Sequence, residues 1–218
     1  MTHTKILIAD DHELVRHGVR KVLEEQDGWQ VCGEAADGRA AVKLARELRP
    51  DVVVMDLAMP ELNGLEATRQ VRKACPATRV LILTVYEAEA MVQEILDAGA
   101  TGYLLKTDAA RLLVTAIEAL LRGEPFFSGR IASVVLRGFL SLSGREANGE
   151  AFTVQLTARE RQIVQLIAEG KRNKEMADRL GTSVKTVDAH RAHLMAKLNL
   201  HSVVDIVRYA IRNKIIEP

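Results

Sequence analysis

The stretch PDVVVMDLAMPELNG, Pro50 to Gly64, runs three valines and a methionine straight into a lone carboxylate, Asp56, and then into a turn punctuated by proline and Asn-Gly. A near-continuous apolar run of this length reads as a strand covered on both faces, the usual condition of a parallel strand. Working outward, KILIAD (5–10), WQVCGEA (29–35), RVLILT (79–84) and GYLLK (102–106) read as four further strands. Between them HELVRHGVRKVLEE, GRAAVKLAREL, GLEATRQVRKA, EAEAMVQEILDAGA and DAARLLVTAIEALLRG carry apolar residues at three- and four-residue spacing, the mark of amphipathic helices. Strand and helix alternating five times predict an α/β domain with an open, five-stranded, doubly wound parallel sheet and helices on both faces.

At 218 residues the chain exceeds the common domain size of about 100–150, so two domains are expected. Its 48% hydrophobic and 27% charged content suits a soluble globular protein. No apolar run approaches the roughly 20 residues that span a bilayer, and the opening MTHTKILIADDHE turns acidic at once, so no signal peptide and no membrane role are expected. Cys32 and Cys75 stand apart from each other and from any histidine cluster, which suggests reduced thiols in a cytoplasmic protein. The net charge of +1 conceals an asymmetry: residues 1–125 sum to −5 and residues 126–218 to +6. The basic half is the candidate for a polyanionic partner.

In an open parallel sheet, ligands bind beyond the carboxyl ends of the strands, where the strand order reverses. Asp10 and Asp11 close the first predicted strand, Asp56 the third, Thr84 the fourth and Lys106 the fifth. Each has an ordinary reading alone, as a turn former, cap or solvated charge. Five of them falling together at carboxyl ends form a constellation. Clustered carboxylates need a cation, and an all-oxygen set suits Mg²⁺. The cation, Lys106 and the Thr84 hydroxyl together match the oxygens of a phosphoryl group, with Asp56 as the nucleophile that forms an acyl phosphate. The sequence has no Walker A loop, dinucleotide fingerprint or catalytic triad, so the donor must supply an activated phosphoryl group.

The paired acids in ADD, the DLAMP turn followed by Gly64, the LT ending the fourth strand and the GYLLK of the fifth resemble the receiver domain of two-component response regulators, over residues 1–122. The resemblance implies that Asp56 accepts phosphate from a sensor histidine kinase. It implies that Asp11, Asp56 and the Ala58 carbonyl hold Mg²⁺, with Asp10 assisting through water, and that Thr84 and Lys106 contact the phosphoryl oxygens. Tyr103 matches an aromatic switch that turns inward when Thr84 moves. Three residues depart from the common pattern. Ala58 has no polar group to position a hydrolytic water, Val85 is larger than usual and narrows access, and Thr107 replaces a frequent proline. Slow self-dephosphorylation is the expectation, and no turnover as an enzyme. An acyl-phosphate phosphatase is disfavoured, because Ala58 stands where a second acid would protonate the leaving group.

Residues 123–152 read as a linker whose apolar centre RIASVVLRGFL suits a short helix and whose end SGREANGE is polar. From residue 153 to 218 four helical stretches follow. LTARERQIVQLIAEG opens with a capping box, Thr157 and Glu160, and stops at Gly170. NKEMADRLG and SVKTVDAHRAHLMAKLNL, joined by the tight LGTS, form a helix-turn-helix whose second helix suits the major groove. Val187, Leu194 and Leu198 share the core stripe, with His190 and Arg191 at its margins, leaving Lys185, Asp188, Ala189 and Ala192 on the opposite face. Asp188 is unusual on a DNA face unless it accepts from cytosine.

The elements LT-x-RE, G-x-x-NKE-x-A, S-x-KTV-x-x-H and KL are similar to the LuxR-type DNA-binding domain, and with the receiver they identify a response regulator of the NarL/FixJ type. That resemblance implies DNA contacts from Lys185, Thr186, Asp188, Ala189, Arg191 and Ala192, with Asn173 and Lys174 near the backbone, and dimerisation through the last helix. It further implies an unmodified receiver that blocks the DNA-binding surface, and a phosphorylated homodimer on promoter repeats. A regulator whose DNA binding ignores phosphate, with the receiver as a dimerisation module, is the alternative.

Overall fold

The computed structural model of the protein describes residues 3–85, 92–129, 131–133, 135, 156–198, 200, 202–213 and 215–216. Strands β1 (Thr4–Ala9), β2 (Trp29–Ala35), β3 (Val52–Met55), β4 (Arg79–Thr84) and β5 (Gly102–Leu105) form where the apolar runs lie, and a sixth, β6 (Phe126–Phe127), joins them. Every pairing is parallel, in the order β2-β1-β3-β4-β5-β6. The expected five-stranded sheet thus gains a strand from residues read as linker. Phe126 and Phe127 pair with Gly102 and Tyr103, too short a run to carry a pattern.

Helices α1 (Glu13–Glu24), α2 (Gly38–Leu48), α3 (Gly64–Ala74), α4 (Val92–Asp97) and α5 (Ala109–Leu121) connect the strands. Alternation along each strand divides the core in two. Leu7, Val53, Met55, Ile82 and Tyr103 pack towards α2, α3 and α4, while Ile6, Ile8, Val54, Leu83 and Leu104 pack towards α1 and α5. Asp37 and Asn63 cap α2 and α3, each accepting a backbone N–H one turn ahead. In the apolar centre of the expected linker, residues 131–133 and 135 are helical, and Ile131 and Val135 join the receiver core. The rest of that segment, 136–152, lies outside the described residues.

The C-terminal unit consists of α6 (Ala158–Ala168), α7 (Asn173–Leu180), α8 (Val184–Lys197) and α9 (Val203–Arg212) around Ile163, Leu166, Met176, Val187, Leu194 and Ile206. The expected capping box is present, with Thr157 accepting from Glu160 N–H and Glu160 accepting from Thr157 N–H. Gly181, at φ +60, closes α7 in the left-handed region, which makes the tight turn into α8 possible.

Strand order reverses between β1 and β3, which places Asp10 and Asp56 side by side. The loop leaving Asp56 is drawn tightly back: Gly64 N–H donates to the Leu57 carbonyl at 2.8 Å, and a Cβ on Gly64 would lie 1.7 Å from the Asp56 carbonyl oxygen. Only glycine fits against that backbone. Gly64→Ala is expected to lower unfolding free energy by roughly 3 kcal/mol or more, read from the urea midpoint, because the clashing atom is main chain and cannot swing aside.

Candidate functional site

Asp56 is 2% exposed at the end of β3. Its Oδ1 accepts from the Leu57 N–H at 2.8 Å, and its Oδ2 accepts from Lys106 Nζ at 3.0 Å. Lys106 reaches inward from the end of β5 and also lies 2.7 Å from Asp10 Oδ2. One ammonium therefore sits between two buried carboxylates. Asp11, at the mouth, completes a cluster with Asp10, His12 and Asp56 whose ligand atoms lie within 4.8 Å of one another. His12, absent from the expected set, places Nδ1 2.8 Å from Asp11 Oδ1, and its backbone N–H donates to Asp10 Oδ1 at 2.9 Å. The sequence signal was its position directly after the paired acids. Arg16 on α1 backs the site by donating to the Asp10 carbonyl at 2.8 Å.

Burial pushes the Asp56 carboxyl up to about 6; the nearby Lys106 charge opposes this and Asp10 reinforces it. Burial alone would depress Lys106, but Asp56 and Asp10 outweigh it and hold the ammonium above its ordinary value. Asp10 and Asp56 are buried against one ammonium, 2.7 and 3.0 Å from it, and Asp11 joins them at the exposed mouth. An excess of buried oxygen charge of this kind fits a hard divalent cation.

Thr84 is fully buried at the end of β4, between β3 and β5, and Ala58 is buried in the loop after Asp56. Tyr103 is 1% exposed within the core. Val85 is 53% exposed.

In the C-terminal unit, Lys185, Thr186, Asp188, Ala189 and Ala192 are exposed along one side of α8, while Val187 and Leu194 are buried, as the helical spacing predicted. His190 and Arg191 are half-buried at the margins. Asn173 and Lys174 start α7, with Asn173 half-buried and Lys174 exposed. Asp188 accepts from the Asn173 side chain, whose carbonyl in turn accepts from Arg191. The carboxylate that looked out of place on this face is thus one member of a three-residue network.

The two units touch through α6 and α7. Gln165 bonds to the loop after Asp56, Glu169 to the Glu61 N–H, Arg179 pairs with Glu61, and Arg161 pairs with Glu94. The receiver therefore grips the first two helices of the C-terminal unit and leaves the outward positions of α8 exposed to solvent. Those of Gln165, Glu169 and Arg179 join residues more than a hundred positions apart, and Arg161 and Glu94 are 67 apart, with no short-range pattern to announce them.

Residues 6–118 match the response regulator receiver domain family, and residues 154–210 match the bacterial regulatory proteins of the luxR family. The oxygen regulatory protein NreC of Staphylococcus carnosus is 40% identical over 216 residues, covering 98% of this chain and 99% of that one. The chain is a response regulator of the NarL/FixJ type. Among solved structures, the Salmonella typhimurium response regulator RcsB is similar with a TM-score of 0.67 and 28% identity over 98% of this chain and 99% of the other. A LuxR-family regulator from Aurantimonas is 41% identical with a TM-score of 0.59, covering 64% of this chain and 99% of its own. The complex of RcsB with DNA matches at 26% identity and a TM-score of 0.58, over 97% of this chain and 98% of the other. As a member of this family the response regulator binds DNA through its C-terminal domain. Among the described residues no helix is long and apolar enough to cross a membrane.

Because the carboxyl of Asp56 titrates above its unfolded value, the folded protein holds more protons than the unfolded chain between about 3.8 and about 6. Stability without divalent cation is therefore expected to fall as pH rises through that window. Asp56→Asn should flatten the fall and raise stability at neutral pH by roughly 1–3 kcal/mol. Urea titrations at a series of pH values, in chelator, check both.

Proposed function

We propose that the response regulator accepts a phosphoryl group on Asp56 from a sensor histidine kinase, with Mg²⁺ as the cation, and that the modification controls homodimerisation and binding to promoter repeats in the cytoplasm. The observation that carries this reading is the buried Asp56 carboxylate at the topological switch point, with one oxygen fixed by a backbone N–H and the other on Lys106. In the step, a bond forms between an Asp56 oxygen and phosphorus while the phosphorus–nitrogen bond of the donor imidazole breaks, and the imidazole leaves with a proton. Asp11, Asp56 and the Ala58 carbonyl would hold Mg²⁺, which supplies positive charge against the phosphoryl oxygens. Lys106 is oriented for a phosphoryl oxygen by its contacts with Asp10 and Asp56, and Thr84 supplies a hydroxyl from the neighbouring strand end. At neutral pH the Asp56 carboxyl, near 6, is largely ionised and available as the nucleophile. Ala58 offers no group to aim water at the acyl phosphate, so the protein is an acceptor with slow self-dephosphorylation and not a turnover catalyst.

DNA contacts fall to Lys185, Thr186, Asp188, Ala189, Arg191 and Ala192 on α8, with Asn173 and Lys174 at the start of α7 near the phosphates. The exposure of the outward α8 positions favours one second reading, in which DNA binding does not wait for phosphate.

Light scattering and DNA binding, with Mg²⁺, before and after adding beryllofluoride as an acyl-phosphate mimic, separate the two. A shift towards dimer with tighter DNA binding is expected in the wild type and not in Asp56→Ala. Equal mass and equal affinity in all samples would establish the phosphate-independent reading. Lys185→Ala should weaken DNA binding by roughly 1 kcal/mol or more and, if Lys185 meets a phosphate, reduce the salt slope by about one.

A further inference from the structure

The loop from residues 57 to 63 leads from Asp56 into α3, and the DNA-binding domain holds it by its main chain. Gln165 on α6 is 1% exposed. Its Nε2 donates to the Met59 carbonyl at 2.8 Å, and its Oε1 accepts from the Asn63 N–H at 2.9 Å. One carboxamide thereby satisfies a donor and an acceptor on the same short loop. Glu169, one turn further along α6, accepts from Gln165 Nε2 at 2.8 Å and from the Glu61 N–H at 3.2 Å. Glu61 itself stands at φ +65, a left-handed conformation that a non-glycine residue keeps only under external hold.

Met59 follows Ala58, whose carbonyl belongs to the cation set of the proposed function. A cation that draws in this carbonyl must act on the segment that Gln165 and Glu169 already hold. We propose that Gln165 is a positioning residue for phosphoryl acceptance: by fixing the backbone from Met59 to Asn63 it opposes placement of the Ala58 carbonyl for the cation, so docking of the DNA-binding domain sets cation affinity and phosphorylation at Asp56. The inference rests on the reading of Asp56 as phosphoacceptor. Because coupling between two binding events is reciprocal, anything that separates α6 from the loop raises affinity for Mg²⁺, and Mg²⁺ loosens the docking. The control acts on the loop, not by covering α8.

The test uses the full chain, with acetyl phosphate as donor and Mg²⁺ titrated, for the wild type, Gln165→Ala, Gln165→Leu and Glu169→Ala. Hydrogen–deuterium exchange of the segment 57–66 is read without Mg²⁺ in the same proteins. Loss of the two Gln165 bonds is expected to lower the half-saturating Mg²⁺ concentration about three- to tenfold and to speed exchange of the segment by a similar factor. Glu169→Ala, which leaves the helical core intact, should shift both in the same direction by less, with the dependence on acetyl phosphate unchanged in all variants. Unchanged Mg²⁺ dependence and exchange in variants that still unfold cooperatively, or a rise in the Mg²⁺ requirement, would overturn the proposal. Asp56→Ala runs alongside: if it is labelled as fast as the wild type, the acceptor reading fails, while the exchange data still decide whether Gln165 holds the loop.

Discussion

A single ammonium between two buried carboxylates organises the receiver. Lys106 reaches Asp10 and Asp56 only because β1, β3 and β5 are held in parallel register with their carboxyl ends on one rim, and the reversal of strand order sets Asp10 beside Asp56. Burying like charges this closely works against the fold, as the upward shift of Asp56 shows. The surrounding sheet, with valines and isoleucines packed on both faces, offsets that strain and keeps the carboxylates where a divalent cation and a phosphoryl group can meet them. The local instability is the condition for the chemistry.

Much of this was legible because the signals are local. Apolar runs marked the first five strands, and α2 and α3 occupy the very segments whose apolar spacing announced them. The rim residues could be placed because a parallel sheet fixes which strand ends converge. Other features depend on partners distant in the chain. Phe126 and Phe127 form a strand only because Gly102 and Tyr103 offer an unpaired edge. Gln165 reads in sequence as one polar position on an amphipathic helix, yet it is buried against a loop about a hundred residues earlier. Asp188 reads in sequence as a lone acid on a DNA-facing surface, yet Asn173 and Arg191 tie it into a network. The docking between domains was illegible for the same reason: it is fixed by side-chain pairs across the interface, such as Arg179 with Glu61 and Arg161 with Glu94, not by periodicity.

The network of Asn173, Asp188 and Arg191 also ties the start of α7 to the middle of α8. A side chain already held by neighbours loses less freedom on meeting DNA, so such a network favours selectivity through geometry over gross attraction. This suits a domain whose excess of positive charge is small.

The short strand β6 has a consequence for how the molecule divides. Phe126 N–H donates to the Thr101 carbonyl and Ser128 N–H to the Tyr103 carbonyl, so the chain leaving the receiver is stitched along the outer side of β5. A receiver cut at residue 122 would lose this cover and present the edge of the strand that leads to Lys106. Bare edges recruit other strands. Such a fragment would be prone to pair with copies of itself, and an apparent receiver dimer obtained from it would report a severed seam in the fold, not the assembly of the intact regulator.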